Sequence, residues 1–214
     1  MSMTKEDAVR RIHECALAYK ANLLGKNVLF VTLGNNNTAL FETVYLARNF
    51  LHFTGTKSSL NSRLFFQAAV DNKLGTKDIA IASDGTTELK LQVLLSLMSI
   101  HITARMVGDY GNSKSLLVAD KFAGTVTAAM GFVDDNGYYV PNTVLNEDIR
   151  RLTQSPRQRI VATFIKDQKE KVYTTLTYTA KGITLEDSKI ASAINDKVDI
   201  GSLTPVYSLP EKSD

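Results

Sequence analysis

The spacing of apolar residues predicts a helix at the start of the chain and a strand directly after it. Apolar side chains recur every three or four positions, as on one face of a helix, at Val9, Ile12, Ala16, Tyr19 and Leu23. We predict a helix over residues 4–24, with Thr4 as its N-cap and Gly25 as its end. The short apolar and β-branched run at 27–32 is typical of a strand.

Three further stretches extend this pattern into the middle of the chain. Residues 44–53 read VYLARNFLHF, and we predict that they form a second strand. A helix follows, capped by Ser58 or Ser59 and running to Val70. Residues 88–99 leave little polar face, which favours a buried central helix.

From Thr103 onward the pattern changes to a period of two, which is typical of strands. The predicted strands cover residues 103–108, 115–119, 125–133, 137–140, 158–166 and 171–179. Short helices are predicted at 146–153 and 183–195. Since helices come first and strands cluster later, we predict an α+β fold with N-terminal helices packed on an antiparallel β-sheet. We assign 1–180 to one domain and 181–214 to a C-terminal helix and tail.

Composition narrows the class of protein. The 214 residues include one cysteine, Cys15, which allows no internal disulfide and suits a reducing, cytoplasmic compartment. No apolar run approaches the roughly 20 residues of a membrane span, so we expect no membrane partner. The net charge of +3 can be attributed to residues 145–180, which hold seven Lys and Arg against four Asp and Glu. Such a stretch either contacts nucleic-acid phosphates or is a solvated face.

The sequence lacks the usual motifs for metals and nucleotides. One cysteine and the separated histidines His13, His52 and His101 do not have zinc-ligand spacing, and no Glu completes a calcium loop after Asp134. Neither GxxxxGK[ST] nor GxGxxG occurs, and Cys15 lies inside a predicted helix without a catalytic context. We therefore expect no metal and no cofactor.

His52 is the candidate general acid or base. It lies at the C-terminal end of the predicted strand 44–53, just before Thr54 and Gly55, where a side chain can reach a cleft beside a sheet edge. A histidine titrates near neutral pH, which suits proton transfer. The alternative is a hydrogen-bonded structural histidine at the end of a strand.

Two lysines are candidates for phosphate contacts. Lys90 lies near the start of an otherwise apolar helix, where an unpaired buried ammonium is costly. It is either held in a cleft to neutralise a phosphate or extends to water from the first turn. Lys121, between Asp120 and Gly124, is likewise either a cleft cation or a solvated residue between two strands.

Residues 138–143 read YYVPNT and have two interpretations. In one, the tyrosines stack on bases while Asn142 and Thr143 bind a phosphate or a base edge. In the other, the tyrosines pack in the core, and Asn142 or Thr143 caps the next helix.

Several short motifs together resemble one nuclease family. They are NFLHFTG (49–55), FF (65–66), LKL (89–91), GDY (108–110), ADKFAG (119–124), GF (131–132), YVPNT (139–143) and DIR (148–150). This series is similar to the Barnase–EndoU–colicin–RelE-like nuclease domains carried by phages and integrative elements, in the class usually numbered four. The resemblance covers roughly residues 20–180.

The resemblance implies a barnase- or RelE-type fold and a toxin-like, metal-independent endoribonuclease of phage or mobile-element origin, with tRNA among its candidate substrates. The implied catalytic residues are His52, Thr54, Lys90, Lys121 and Thr143. Among them His52 would serve as base or acid, a lysine would stabilise the phosphate, and a threonine would donate a hydrogen bond. With the tyrosines and the basic stretch, the RNA-binding set comprises Tyr139, Asn142, Arg150, Arg157, Arg159 and Lys166.

Other functions stay open at this point. The sequence has no second histidine in a matching context, so the second proton would pass through a lysine, a tyrosine or water. Family members are often one module of a long polyvalent protein, and other modules are expected partners. The alternative function is a catalytically inactive module that binds RNA or protein, and a third is a structural protein of a mobile element.

Overall fold

The computed structural model describes residues 3–34, 37–112 and 117–205. The helices are α1 (Lys5–Asn22), α2 (Phe50–Thr54), α3 (Ser62–Val70), α4 (Thr86–Leu97), α5 (Ile100–Thr103), α6 (Ile149–Leu152) and α7 (Ser188–Ile194). Short 3₁₀ helices cover Ala47–Asn49, Thr76–Asp78 and Ile200–Ser202. No helix within the described ranges has the length and apolar character required to span a membrane.

The strands form one large mixed sheet and one small ribbon. They are β1 (Lys26–Leu33), β2 (Thr38–Val44), β3 (Lys57–Ser58), β4 (Ile79–Ala80), β5 (Met106–Asp109), β6 (Lys121–Gly124), β7 (Ala129–Asp135), β8 (Tyr138–Leu145), β9 (Gln158–Asp167), β10 (Thr175–Thr179) and β11 (Thr204–Pro205). β3 pairs with β4, and the other strands follow the order β1-β2-β8-β7-β6-β5-β9-β10-β11.

The large sheet closes on itself, which corrects the predicted arrangement of helices on an open antiparallel sheet. β9 pairs with β5 and β10 and also returns to pair with β1, from Lys26 opposite Asp167 to Leu33 opposite Arg159. Seven strands, β1, β2, β8, β7, β6, β5 and β9, therefore form a ring. The pairs β2–β8 and β10–β11 are parallel, so the sheet is mixed, although the fold is α+β overall.

The start of the chain follows its sequence pattern. The Thr4 hydroxyl oxygen accepts a hydrogen bond from the N–H of Asp7 at 3.1 Å, as an N-cap does, and α1 confirms the predicted helix. Gly25 then takes a left-handed backbone with φ of 73°, where glycine is favoured. The strand predicted at 27–32 lies within β1.

β1 lies between two parts of the core. Val28 and Phe30 belong to the main cluster, which holds the buried faces of α1, α3 and α4. Leu29 and Val31 pack on the opposite side with residues of β9 and with Ile190 and Ile194 of α7. Because both faces of β1 are covered, residues 28–31 in its middle are all apolar rather than alternating with polar residues.

The strand predicted at 44–53 is wrong. β2 ends at Val44, the 3₁₀ helix Ala47–Asn49 follows, and residues 50–54 form α2. Phe50 and Phe53, three positions apart, lie on one side of this helical turn and place their rings 5.5 and 5.8 Å from the ring of Tyr19. The apolar run therefore satisfies a helical contact with α1 rather than the two faces of a strand.

Two predicted helices also differ in detail. Asn61, rather than Ser58 or Ser59, caps α3, since its side chain accepts a hydrogen bond from the N–H of Leu64 at 3.0 Å. α4 is not fully buried, because Leu89 and Leu95 are each about half exposed to solvent.

The later strands are present with shifted bounds. The first residue of the predicted strand 103–108, Thr103, belongs to α5, and the strand itself, β5, begins at Met106. β6 forms where a turn was expected, while the predicted strand 115–119 has no counterpart at 117–119, and its residues 115–116 lie outside the described residues. Residues 35–36, between β1 and β2, and residues 206–214 of the predicted tail also lie outside the described residues.

Candidate active site

α2, α4 and β8 meet at the side chain of Lys90. Its Nζ donates hydrogen bonds to the backbone oxygen of His52 at 2.9 Å and to Oγ1 of Thr143 at 3.0 Å. Three residues predicted from separate motifs therefore lie together, and we call His52, Lys90 and Thr143 the Lys90 cluster.

Gly55 permits this approach of α4 to α2. It ends α2 with φ of 66°, and a Cβ added there would lie 3.0 Å from Cδ of Lys90 and 3.2 Å from Cα of Thr87. A residue with a side chain would push α4 away from the turn. Glycine thus meets two requirements at once, the left-handed backbone and the close contact.

Lys90 is a largely buried cation. Burial lowers the pKa of its ammonium from 10.5 to about 8, because the charged form loses hydration. Lys90 has features of both interpretations. Its side chain is partly exposed to solvent, as in the solvated alternative, while its ammonium donates hydrogen bonds to protein acceptors, as a cation held in a cleft would.

His52 has an exposed side chain on α2 and lies within electrostatic reach of Lys90. Partial burial, and after it the positive charge of Lys90, lower the pKa of His52 below its ordinary value of 6.5. The imidazole is therefore neutral at pH 7 and able to accept a proton. Its position within a helix corrects the strand-end placement predicted from sequence.

Thr54 is fully buried, next to the Lys90 cluster in sequence. Its hydroxyl donates to the backbone oxygen of Leu51 at 2.9 Å and lies 2.7 Å from Oγ1 of Thr56. The N–H of Thr56 donates to the Thr54 hydroxyl oxygen at 3.2 Å. Thr54 thus joins the end of α2 to the turn after it, and its hydroxyl points to protein acceptors.

Thr143 is also buried, on β8 beside the neighbouring strand β7. It lies opposite Gly131 of β7, where an added Cβ would come within 2.8 Å of Cγ2 of Thr143 and of the Phe122 ring. The register shifts between Gly131 and Phe132. The missing side chain at Gly131 thus leaves room for the Thr143 methyl group.

Lys121 belongs to a second cluster on β5, β6 and β8. It forms an ion pair with Asp109, and its Nζ lies 5.9 Å from the centre of the Tyr139 ring. Tyr139 is partly buried, and its ring also contacts Phe41, with centroids 4.8 Å apart. Lys121 therefore does not share the contacts of Lys90. The contact of Tyr139 with Phe41 agrees with the interpretation in which the tyrosines pack in the core.

Neither Asn142 nor Thr143 caps the following helix. The Asn142 amide donates to the backbone oxygen of Val118 at 3.0 Å. Asp148 caps α6 instead, accepting a hydrogen bond from the N–H of Arg150 at 2.9 Å. The capping interpretation of Asn142 and Thr143 is wrong.

The basic residues predicted to bind RNA differ in their intramolecular partners. Arg150 is exposed and forms a two-pronged ion pair with Asp148. Arg157 donates to the backbone oxygens of Arg150 and Thr153. Arg159 is exposed on β9.

Lys166 has a structural position at the end of β9. Its Nζ donates to the backbone oxygens of Glu170 and Lys171 at 2.9 and 3.0 Å and lies 4.8 Å from the centre of the Tyr173 ring. These contacts join the turn between β9 and β10, so the ammonium is engaged within the protein.

Sequence reasoning missed Thr87, which lies one helical turn before Lys90. Its buried hydroxyl donates to the backbone oxygen of Gly55 at 2.7 Å and accepts a hydrogen bond from the N–H of Ala82 at 2.9 Å. The signal available was a threonine three positions before the unusual lysine, on the same helical face.

The described residues contain no group of three or more His, Cys, Asp or Glu side chains placed to hold a metal ion. Comparison with known families gives one match: the family model PBECR4, described as phage-Barnase-EndoU-ColicinE5/D-RelE like nuclease 4, matches residues 11–182. No curated protein and no solved structure matches the chain.

Proposed function

The chain belongs to the PBECR4 family of nucleases, and from this premise we propose that it is an endoribonuclease that cleaves RNA without a metal ion. The observation that supports this proposal is the Lys90 cluster, where a desolvated ammonium donates to the backbone oxygen of an exposed histidine whose pKa is lowered. RNA cleavage of this kind needs a base, a proton donor and positive charge near the phosphate.

In the proposed reaction, His52 is the general base. Its neutral imidazole takes the proton of the ribose 2′-hydroxyl while the 2′-oxygen bonds to phosphorus. The bond between phosphorus and the 5′-oxygen breaks, and the leaving oxygen takes a proton from Lys90 or from water. The products are a 2′,3′-cyclic phosphate and a 5′-hydroxyl, and the lowered pKa of Lys90 makes it the stronger proton donor.

Lys90 also supplies the positive charge that the pentavalent phosphate requires. A preorganised cation in a site shielded from water stabilises developing negative charge more strongly than one in solution. Thr143 accepts one of the three N–H bonds of the ammonium and the His52 carbonyl accepts another. The third N–H is then directed to a phosphate oxygen.

The remaining candidates enter the proposal in other roles. Thr54 holds the turn after α2, because its buried hydroxyl already has partners within the protein. Lys121 and Tyr139 contact the RNA strand away from the cleaved bond, and exposed Arg150 and Arg159 contact its phosphates. Asn142, Arg157 and Lys166 have backbone partners and are the weaker RNA contacts.

Cleavage assays with purified protein test the proposal. Wild-type protein is incubated with tRNA and with total RNA in EDTA, and the ends of the products are identified. We expect cyclic-phosphate ends, and a loss of about 10²-fold or more in rate for His52→Ala and Lys90→Met. His13→Gln and Lys73→Met serve as controls, since His13 contacts Ala69 and Lys73 is exposed.

Two outcomes would count against this function. Intact RNA after incubation with wild-type protein from about pH 5 to about pH 9 would contradict catalysis. If the same protein bound RNA in a salt-dependent manner, the inactive RNA-binding module would be selected instead. Cleavage that stopped in EDTA would contradict a metal-free reaction.

A further inference from the structure

Thr87 occupies the contact between the α2 turn and α4. It is completely buried, and its hydroxyl links two loops, donating to the oxygen of Gly55 and accepting the N–H of Ala82. Both bonds have normal lengths, 2.7 Å for the O–H···O bond and 2.9 Å for the N–H···O bond. A buried hydroxyl with a donor and an acceptor fixed at these distances restricts the position of the helix that carries it.

Capping of α4 does not explain these bonds. Gly85 is the N-cap residue, and the N–H of Thr86 is bound by the Asp84 carboxylate at 2.9 Å. Thr87 instead directs its hydroxyl away from the helix, to Gly55 and Ala82. Its hydrogen bonds therefore hold the helix to its surroundings.

The same glycine touches Lys90. Thr87 and Lys90 are three positions apart and share one face of α4, and both lie against Gly55. A helix fixed at Thr87 consequently fixes the distance that the Lys90 side chain must span to reach the His52 carbonyl. We propose that Thr87 is a positioning residue: through Gly55 it places the ammonium of Lys90 between His52 and Thr143. Its effect on catalysis rests on the proposed function.

Removing the Thr87 hydroxyl should loosen this arrangement. Thr87→Val keeps the shape of the side chain but leaves the Gly55 oxygen and the Ala82 N–H without a partner. α4 then shifts from the turn, and water reaches Lys90. Misplacement of a catalytic group by about 1 Å costs up to about 10²-fold in rate, and we expect at least a tenfold loss of kcat/KM.

The direct readout is the titration of Lys90, which does not depend on nuclease activity. Competitive acetylation over a range of pH, analysed peptide by peptide, gives the midpoint for each lysine. In wild-type protein we expect Lys90 to titrate near its lowered pKa of about 8, and in Thr87→Val to move toward 10.5. Thr87→Ser should restore the wild-type midpoint, and the neighbouring Thr86→Val, which keeps both Thr87 bonds, should not change it.

The outcomes separate this inference from the proposed function. A shifted Lys90 midpoint in Thr87→Val, rescued by Thr87→Ser, supports the positioning role even if wild-type protein proves inactive on RNA. An unchanged midpoint in folded Thr87→Val overturns it.

Wild-type protein offers a measurement that needs no substitution. The N–H of Ala82, bound to the Thr87 hydroxyl, should exchange with deuterium at least about tenfold more slowly than the N–H of Ser83. Equal exchange rates at the two positions overturn the proposal even where Thr87→Val fails to fold.

Discussion

A single side chain connects three distant parts of the sequence. Lys90 contacts His52, 38 positions before it, and Thr143, 53 positions after it. Burial lowers the pKa of the Lys90 ammonium to about 8. Partial burial, and after it the charge of Lys90, lower the pKa of the His52 imidazole. At pH 7 His52 is therefore neutral, while Lys90, with a pKa of about 8, still carries its charge.

These shifts predict a bell-shaped dependence of cleavage rate on pH. The rate should rise as His52 loses its proton, with a midpoint below 6.5, and fall as Lys90 loses its own, near pH 8. Between the two midpoints the base is neutral and the ammonium is charged. Initial rates on one RNA substrate over this range measure both limbs.

Lys90→Met separates the two groups in that profile. The basic limb should disappear from any residual activity, and the His52 resonances in NMR spectra should report a higher pKa than in wild-type protein, because the neighbouring charge is gone. A basic limb that persists in Lys90→Met, or a His52 pKa that does not rise, would contradict the assignment.

The candidate residues could be named from sequence, but their arrangement could not. His52 and Thr143 were selected from two motifs, and Lys90 because a lysine in an apolar helix is costly. Which of them meet depends on contacts far apart in sequence, and Lys121 turned out to pair with Asp109. The signal for Thr87, its place three positions before Lys90, is weak, since a threonine in a first helical turn is common.

At the scale of elements, the turn between α2 and β3 depends on Gly55. Alanine there would adopt a left-handed backbone at a cost of about 1–2 kcal/mol, and its Cβ would meet the backbone of Thr87 at 3.2 Å. Gly55→Ala should therefore lower the free energy of unfolding by about 2–4 kcal/mol and also reduce cleavage.

Gly25→Ala is a matched control for this prediction. Gly25 has a similar φ of 73°, yet an added Cβ would meet no atom within 4 Å. Gly25→Ala should lower the free energy of unfolding only by the cost of the left-handed backbone, about 1–2 kcal/mol, and should keep the cleavage activity per folded molecule. Urea unfolding and cleavage assays on both variants make the comparison, and equal losses in both would show that the contact with α4 has no effect.

The α2 segment shows why sequence pattern misplaced an element. Residues 44–53 carry apolar side chains at spacings that fit both a strand and a short helix, and such runs cannot be distinguished by periodicity. The rings of Phe50 and Phe53 meet Tyr19 on α1, and this tertiary contact selects the helix. By contrast, α1 has a long helical pattern and an N-cap threonine, so local sequence alone is enough to predict it.

At the scale of the whole molecule, closure of the sheet was not predictable from local pattern. It depends on pairing of β1 with β9, whose partners Lys26 and Asp167 are 141 positions apart. Alternation of apolar residues indicates strands but does not state which strands are neighbours. The α+β class follows from the order of elements, whereas the ring does not.

Stability of the whole fold should depend on pH through His101. This side chain is buried in α5, and burial lowers its pKa from 6.5 to about 4. Between those values the unfolded chain binds a proton that the folded protein excludes, so stability falls as pH falls. The expected loss from pH 7 to pH 4 is up to about 3 kcal/mol from this residue.

Urea unfolding of wild-type and His101→Gln protein at several pH values isolates this effect. His101→Gln should remove the part of the acid-dependent loss of stability that comes from His101 and leave the part that comes from the carboxylates. The control His13→Gln should show the same dependence of stability on pH as wild-type protein. If His101→Gln loses stability with acid as steeply as wild-type protein, His101 is not the group responsible.

Within the described residues, the ring is joined between β2 and β8 by one register pair, Thr43 with Tyr139. Beyond that pair, α2 and α4 lie against β8, and Lys90 makes the connection to Thr143. Beside this short pairing, side chains therefore fasten the helices α2 and α4 to β8. Substitutions in these side chains can therefore change the surroundings of the proposed site while the backbone ladders of the ring stay in place.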